Sequence, residues 1–380
     1  MKSKKTVYIF FLFIIINFLI ICAIVYVNDP LQVFHKHWIR KKNVLMPDMR
    51  MQAAGIINHH EFDSIIIGTS MLENTSSIEA SKKLGGNFIN ISLDGSDFYE
   101  RSFVIRYAIE KKKIKKVLFS LDSGGLVLYQ KNLQEDTSYL YDKSRSNDYK
   151  AYLNINNLKY LIKFTSSGHH SSLDCPNAWY DNPSNTKRYG GLYNWFEAKN
   201  SAQIKKAFKE ISDVAKKVKM GEVAQRPRDF QKRVGMARKY IDTYVLYFAE
   251  SHPETEFVLI LPPYSRLNYA MQAQYYKDDF KIYKIMVRYL VLKSKDYPNI
   301  KVFGWGNYPF VDNIANYKDP SHYEYKINSW MLSAIMQDEG LLLTDNVDKY
   351  LNIFTEKSLK FDLIGFGKKL DDYLNNRYLD

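Results

Sequence analysis

The sequence predicts an α/β protein: a three-layer α/β/α sandwich around a mostly parallel sheet, carrying a helical insertion and one N-terminal transmembrane helix. Three observations lead there. Short apolar runs alternate with helical segments before residue 125 and again after residue 235, the pattern of parallel strands joined by crossover helices. Between about 125 and 235 no buried strand can be read, so that stretch is expected to be a largely helical insertion or lid. Residues 7–27 form an apolar run in which Asn17 is the one strongly polar side chain.

A helix needs roughly 20 apolar residues to cross the hydrocarbon core, and residues 7–27 supply them. Lys2, Lys4 and Lys5 make residues 1–6 a basic tail, which the positive-inside tendency keeps in the cytoplasm. The expected result is a single-pass anchor in a bacterial cytoplasmic membrane, N-terminus in, with the rest of the chain outside. A cleaved signal peptide fits less well. The run is long for one, and Tyr26-Val27-Asn28-Asp29-Pro30 offers no small-x-small site. Cys22 lies inside the run behind the bulky Ile21, unlike a lipoprotein site. Residues 28–60, basic and carrying His35, Lys36, His37, Arg40, Lys41 and Lys42, read as a juxtamembrane linker.

The α/β domain is expected over 61–345. Residues 62–67 read as a buried strand, followed by a short helix capped by Ser76 or Ser77 and stopped by Gly85-Gly86. Residues 88–91 are a second strand. A helix over about 96–113 follows, with Phe98, Phe103, Ile105, Ala108 and Ile109 as its apolar contacts, and then a third strand over 117–121. Within the insertion, 202–218 has the spacing of an amphipathic helix. The alternation resumes with a helix before His252 and a strand over 257–261. A long helix over about 269–293, a strand at 302–303 and a helix over 325–337 complete the domain, and 346–380 reads as a helical tail.

Composition narrows the function. The 46% hydrophobic and 25% charged fractions are those of a folded chain. Cys22 sits in the anchor, which leaves Cys175 without an intramolecular partner. The net charge of +13 is spread over many segments, and an exported domain rarely meets nucleic acid. What remains is a mild preference for anionic surfaces such as lipid headgroups or acidic envelope polymers. His59-His60 and His169-His170 resemble metal ligands, but adjacent histidines point apart and read better as solvated loops. No cofactor or metal is expected.

The chemistry is carried by Gly68-Thr69-Ser70, at the end of the first strand, and by Asp319-Pro320-Ser321-His322. A serine becomes a nucleophile when a base takes its proton and a third group orients that base. Ser70, Asp94-Gly95 and Asp122-Ser123 all fall just past strand ends, which places them on the edge where open α/β sheets bind ligands. His322 would accept the Ser70 proton and Asp319 would hold the imidazole. Taken singly, Ser70 reads equally as a turn serine capping a helix, and Asp319 and His322 as a capped loop. Trp179, Tyr180, Tyr189, Tyr193, Trp195 and Phe196 could stack on sugar rings or simply pack a lid, and Pro262-Pro263-Tyr264-Ser265 reads as a pocket rim.

These blocks resemble those of the SGNH/GDSL hydrolase superfamily, in the membrane-anchored branch similar to teichoic-acid D-alanylation and alginate O-acetylation proteins. Gly68-Thr69-Ser70 matches the nucleophile block, with Thr69 where many members carry Asp. Asn90-Ile91-Ser92-Leu93-Asp94-Gly95 matches the second block, whose glycine amide, with that of Ser70, the resemblance assigns to the oxyanion. Asp319 to His322 matches the D-x-x-H block. The third block departs: Ser120-Leu121-Asp122-Ser123-Gly124-Gly125 lacks the asparagine that donates to the oxyanion. An ionised Asp122 would repel an oxyanion, so Ser123 or Asn74 are the alternative donors, and Asn74, Asp122 and Ser123 are together the candidates for oxyanion or substrate binding. The resemblance implies a serine O-acyltransferase or esterase acting on acyl, chiefly acetyl, esters of a cell-envelope polysaccharide or related polymer, beside a multispanning membrane acyltransferase. The missing asparagine leaves a second implication, a weak or inactive domain of this type that binds envelope polymer or scaffolds a membrane acylation complex.

Overall fold

Five apolar runs build one sheet in which every strand is parallel to its neighbours. The computed structural model describes residues 2–36, 38, 49–129, 131, 133, 136–154 and 187–375. The strands are β1 (Ser64–Ile67), β2 (Phe88–Asn90), β3 (Lys116–Ser120), β4 (Glu256–Leu261) and β5 (Ile300–Gly304), in spatial order β2-β1-β3-β4-β5. Ile65 lies opposite Ile89 on one side and Val117 on the other, and Leu259 opposite Val302. All four residues of β1 are buried, as a strand covered on both faces requires. The first strand starts at Ser64 rather than at Phe62, because the amides of both Asp63 and Ser64 turn to the Asn87 carbonyl.

Ahead of the sheet lie α1 (Lys2–Asn28) and α2 (Ala53–His59). Within Lys4–Asn28 of α1 an 18-residue window has a mean hydropathy of 3.0 and none of it is buried, so this helix is long and apolar enough to cross a membrane. Between β1 and β2 come α3 (Ser70–Glu73) and α4 (Ser77–Leu84); Ser76 Oγ accepts the Glu79 amide at 3.0 Å and caps α4. The return to β3 runs through α5 (Phe98–Lys111), capped by Asp97 on the Glu100 amide at 2.9 Å. From β3 to β4 the chain forms α6 (Ser123–Leu128), α7 (Leu192–Glu197), α8 (Ala202–Lys219), α9 (Phe230–Ile241) and α10 (Tyr247–Ser251). Then come α11 (Arg266–Gln274) and α12 (Lys277–Asp296) before β5, and α13 (Tyr325–Met336), α14 (Val347–Lys360) and α15 (Leu363–Leu374) after it.

The strand order reverses direction between β1 and β3. With right-handed crossovers, connections running to opposite sides of that point lie on opposite faces of the sheet. Packing follows this division: α4 sits against α13, while α6, α9 and α12 sit against one another. The expected long helix over 269–293 is two helices, because the Tyr275 carbonyl turns out of the helical ladder to accept the Ala224 amide at 3.0 Å.

Among the described residues of the insertion there is no strand, only helices and two 3-10 turns at Ser138–Tyr141 and Asp148–Leu153. His169, His170, Cys175, Trp179 and Tyr180 lie outside the described residues. Helix α8 buries Ile204, Phe208, Ile211 and Val214 and packs on α15 and α11.

Two segments differ from the sequence expectation. Residues 346–380, expected as a tail, contribute Val347, Tyr350, Leu351 and Phe354 to the core at helical spacing, and Phe354 packs edge-on to Tyr269 at 4.6 Å. Residues 28–60, expected as a linker, are folded wherever described. The Asp29 carboxylate accepts the amides of Val33, Phe34 and His35 at 3.0, 2.8 and 2.8 Å and the Tyr152 hydroxyl. Gln32 Oε1 meets His60 Nε2 at 2.6 Å, and Ala53, Ala54, Ile56 and Ile57 are buried in α2, which packs on α5. His60 is therefore packed, not part of a solvated loop, and burial, with Arg145 nearby, lowers the His59 pKa. His37 and Arg40, Lys41 and Lys42 lie outside the described residues.

Asp148, near this junction, is buried with Oδ1 unpartnered and Arg145 no closer than 4.0 Å. Burial pushes its carboxyl up to about 6. A carboxyl that binds its proton more tightly when folded adds stability below its unfolded value of 3.8, and that stability is lost as pH rises towards 6. Asp148→Asn is expected to flatten the fall in melting temperature between pH 4 and 6 and to raise it at pH 7. An unchanged melting profile across that window would overturn this account.

Candidate active site

At the end of β1 the chain turns through Gly68 and Thr69 into α3, whose first residue is Ser70. Only glycine fits at 68, since a Cβ there would stand 2.7 Å from the Ser120 Cβ and 3.0 Å from the Leu72 Cβ. Thr69 caps the turn by accepting the Met71 amide at 3.3 Å and donates its hydroxyl to Asp122 Oδ1 at 2.8 Å. These contacts fix the backbone on which Ser70 sits.

Asp319 to His322 form a tight turn before α13. Asp319 Oδ1 accepts the amides of Ser321 and His322 at 2.9 and 3.0 Å. His322 Nδ1 lies 2.9 and 2.8 Å from the two Asp319 oxygens, and His322 Nε2 lies 3.0 Å from Ser70 Oγ. With Nδ1–H donated to the carboxylate, the Nε2 lone pair is left for the serine hydroxyl. Burial alone would raise the Asp319 carboxyl, but His322 and the turn amides overcome it and hold the group well below the usual carboxylate range. The structure thus joins three residues, 252 positions apart at the extremes, into one hydrogen-bonded chain.

The chain opens into a cleft of about 320 Å³ lined by Ser70, Gly95, Ser96, Asp122, Leu128 and His322, among others. It lies beyond the carboxyl ends of β1 and β3, at the reversal of strand order, the position where sheets of this order bind ligands. Gly95 has φ +61°, in the left-handed region that favours glycine. Its loop is pinned by Leu93 N–H to Gly68 O at 2.8 Å and by Arg50 Nη2 to Asp94 O at 2.8 Å. Arg50 is itself clamped by Glu100 at 2.5 and 3.0 Å.

Asp122 stands where the sequence lacks the asparagine of the third block. It lines the cleft, but its carboxylate is engaged as an acceptor on both oxygens. Oδ1 takes the hydroxyls of Thr69 and Tyr264 at 2.8 and 3.2 Å; Oδ2 takes Arg101 Nη2 and Ser120 Oγ, each at 3.0 Å. An ionised carboxylate with four donors has no proton to give, so Asp122 is no oxyanion donor. Arg101, 0% exposed, also donates to Ser120 O at 2.5 Å and Ser96 O at 3.4 Å. One buried ion pair therefore ties together the nucleophile turn, the Gly95 loop and the end of β3. The two alternative donors also stand elsewhere. Ser123 faces a neighbouring cleft, 3.5 Å from Gln272 Nε2, and Asn74 is buried at the end of α3, outside the lining of the triad cleft.

Of the described aromatic residues named above, Tyr189, Trp195 and Phe196 pack. Trp195 is buried with Nε1 donated to Tyr317 O at 2.9 Å, Phe196 stacks on Tyr373 at 3.5 Å, and Tyr189 donates to Tyr323 O at 3.3 Å; Tyr193 is exposed. Pro262 to Ser265 do shape the rim: Tyr264 lines the cleft, and Ser265 Oγ donates to Pro320 O at 2.5 Å. Sequence reasoning missed Arg101, Arg50 with Glu100, and Gln203. For Arg101 a signal existed, a basic residue on the same helical face as Phe98, Val104 and Ile105. For Gln203 nothing local marks it.

No protein-family model matches this chain, and no curated protein matches it either.

Proposed function

We propose that this protein is a membrane-anchored serine O-acyltransferase or esterase of the SGNH type, acting outside the cytoplasm on acyl esters of a cell-envelope polysaccharide or related polymer. The observation that carries the reading is the Ser70–His322–Asp319 chain at 3.0 and 2.8 Å in an open cleft at the sheet edge. In the proposed mechanism His322 takes the Ser70 proton as Oγ attacks an ester carbonyl. Asp319 stabilises the imidazolium, and the Ser70 and Gly95 amides hold the oxyanion. His322 then protonates the departing alcohol. Attack on the acyl-enzyme by water gives hydrolysis; attack by an acceptor hydroxyl gives transfer. The apolar stretch of α1, behind Lys2, Lys4 and Lys5, supports a single N-in span, and the resemblance points to a multispanning membrane acyltransferase as the class of partner that supplies acyl groups. A fluorophosphonate serine probe should label the folded protein, and Ser70→Ala should abolish the label; absence of label on folded wild type would overturn the reading.

A second reading, a weakly active or inactive domain of this type that binds polymer or scaffolds an acylation complex, draws on one observation. No asparagine or glutamine side chain is among the described residues lining the cleft. Losing one oxyanion donor costs about 10²–10³-fold in rate. The same probe separates the two readings.

A further inference from the structure

We propose that Gln203 and Arg188 of the insertion are positioning residues for the Asp319–His322 pair, holding one oxygen of Asp319 with a neutral donor and so setting the pH at which His322 becomes a base. The proposal rests on the serine-nucleophile reading above and assigns the insertion a part in it. Gln203 Nε2 stands 2.8 Å from Asp319 Oδ2 and 3.5 Å from His322 Nδ1. Since Nδ1–H is given to the carboxylate, the amide nitrogen bonds the carboxylate and not the ring. Arg188 Nη1 donates to Gln203 Oε1 at 2.8 Å. A guanidinium only donates, so the amide oxygen must face Arg188 and the NH₂ must face Asp319. Donors therefore converge on Asp319 from both sides: Arg188 donates to Gln203 and Gln203 to Asp319, while Ser70 donates to His322 and His322 to Asp319.

Gln203 is the second residue of α8, which is seated by its apolar face on α15 and α11. Arg188 is buried and precedes the turn that carries Trp195 onto Tyr317 O. Neither residue lines the cleft, so neither is placed to touch substrate. Their effect runs through Asp319. A carboxylate that shares its charge with a further donor attracts an adjacent imidazolium less, and a nearby buried cation adds to that. Both effects keep His322 neutral, and able to accept the serine proton, at lower pH. Among the described residues the other charged and titratable groups near His322 are Lys318, Asp319, Tyr323 and Glu324 on its own segment, Tyr189 beside Arg188, Glu73 and Asp94 near Lys318, and Asp97, Asp122 and Tyr264 around the cleft. None of them is altered by the substitutions below.

The test follows the His322 imidazole titration by NMR in Ser70→Ala protein, where no turnover is needed. Adding Gln203→Leu should move the midpoint up by roughly half to one pH unit, and Arg188→Met should move it the same way. In protein with Ser70 intact, the acid limb of kcat/KM should shift equally, with plateau kcat within roughly threefold. An unmoved midpoint in folded Gln203→Leu protein would reduce Gln203 to a structural tie and overturn the proposal. Should that variant not fold, an unmoved midpoint in Arg188→Met does the same. If the midpoint moves but the serine probe never labels wild type, the coupling stands and the acyl-transfer reading falls.

Discussion

Ser70→Ala is expected to lower kcat on any acyl ester this protein turns over by roughly 10⁴- to 10⁶-fold, with little change in melting temperature. The stability side follows from position. Ser70 is partly exposed at the cleft, and its Oγ has His322 Nε2 as its hydrogen-bonding partner, so removing it leaves a ring nitrogen that water can reach. His322→Ala should cost about as much in rate, and the double variant little more, because the three groups act as one unit. Asp319 needs a gentler substitution. Alanine there would strip the acceptor from the Ser321 and His322 amides as well as from the ring, and the turn itself would suffer. Asp319→Asn keeps one acceptor for those amides but presents an NH₂ where His322 Nδ1–H and Gln203 both donate. A loss of about 10⁴-fold with the fold retained is the expected outcome. Kinetics of the single and double variants on one chromogenic ester check all of this. Wild-type turnover by Ser70→Ala, or losses that simply multiply, would sink the triad.

Much of the sheet was legible because its strands are continuous apolar runs. Ser64–Ile67, Lys116–Ser120 and Glu256–Leu261 are short apolar runs buried on both faces. The triad blocks were legible because each is local: a glycine-flanked serine after one run, and an aspartate three residues before a histidine. What was not legible depends on partners far away in sequence. Asp29 reads as the start of a linker, and the Tyr152 hydroxyl that reaches it comes from 123 positions later. Gln203 reads as one more polar residue on an amphipathic helix, and its partner Asp319 lies 116 positions on. The tail over 346–380 reads as helical, but its place in the core declares itself only when Phe354 meets the rings of α11 and α12. Asp122 was visible as a departure from the third block of the resembled family. Its consequence was not, because the cation that answers it, Arg101, sits on a different element.

That cation gives Asp122 a large expected effect on stability. Asp122→Ala would leave the Arg101 guanidinium, 0% exposed, without its counter-charge, and breaking a buried pair from one side costs about 3–5 kcal/mol. Changing Arg101 to Met as well should recover part of that loss, because removing both partners is cheaper than stranding one. Asp122→Asn is the more discriminating variant. Arg101 can only donate, so the new amide must turn its oxygen towards Arg101 and Ser120 and its NH₂ towards Thr69 Oγ1 and the Tyr264 hydroxyl. Those two hydroxyls can rotate to accept, and the protein should fold with a smaller stability loss than the alanine variant. The rate should still fall, by about 10- to 100-fold, since Thr69 and the Gly95 loop set the Ser70 backbone and small displacements there are costly. Had Asp122 occupied the place of an oxyanion donor, asparagine would restore that donor and activity would hold or rise. Thermal melts of the three variants, with kcat on the ester used for the triad, separate these outcomes. Unchanged stability in Asp122→Ala, or a gain of activity in Asp122→Asn, would show that the buried pair does not hold the nucleophile turn in place.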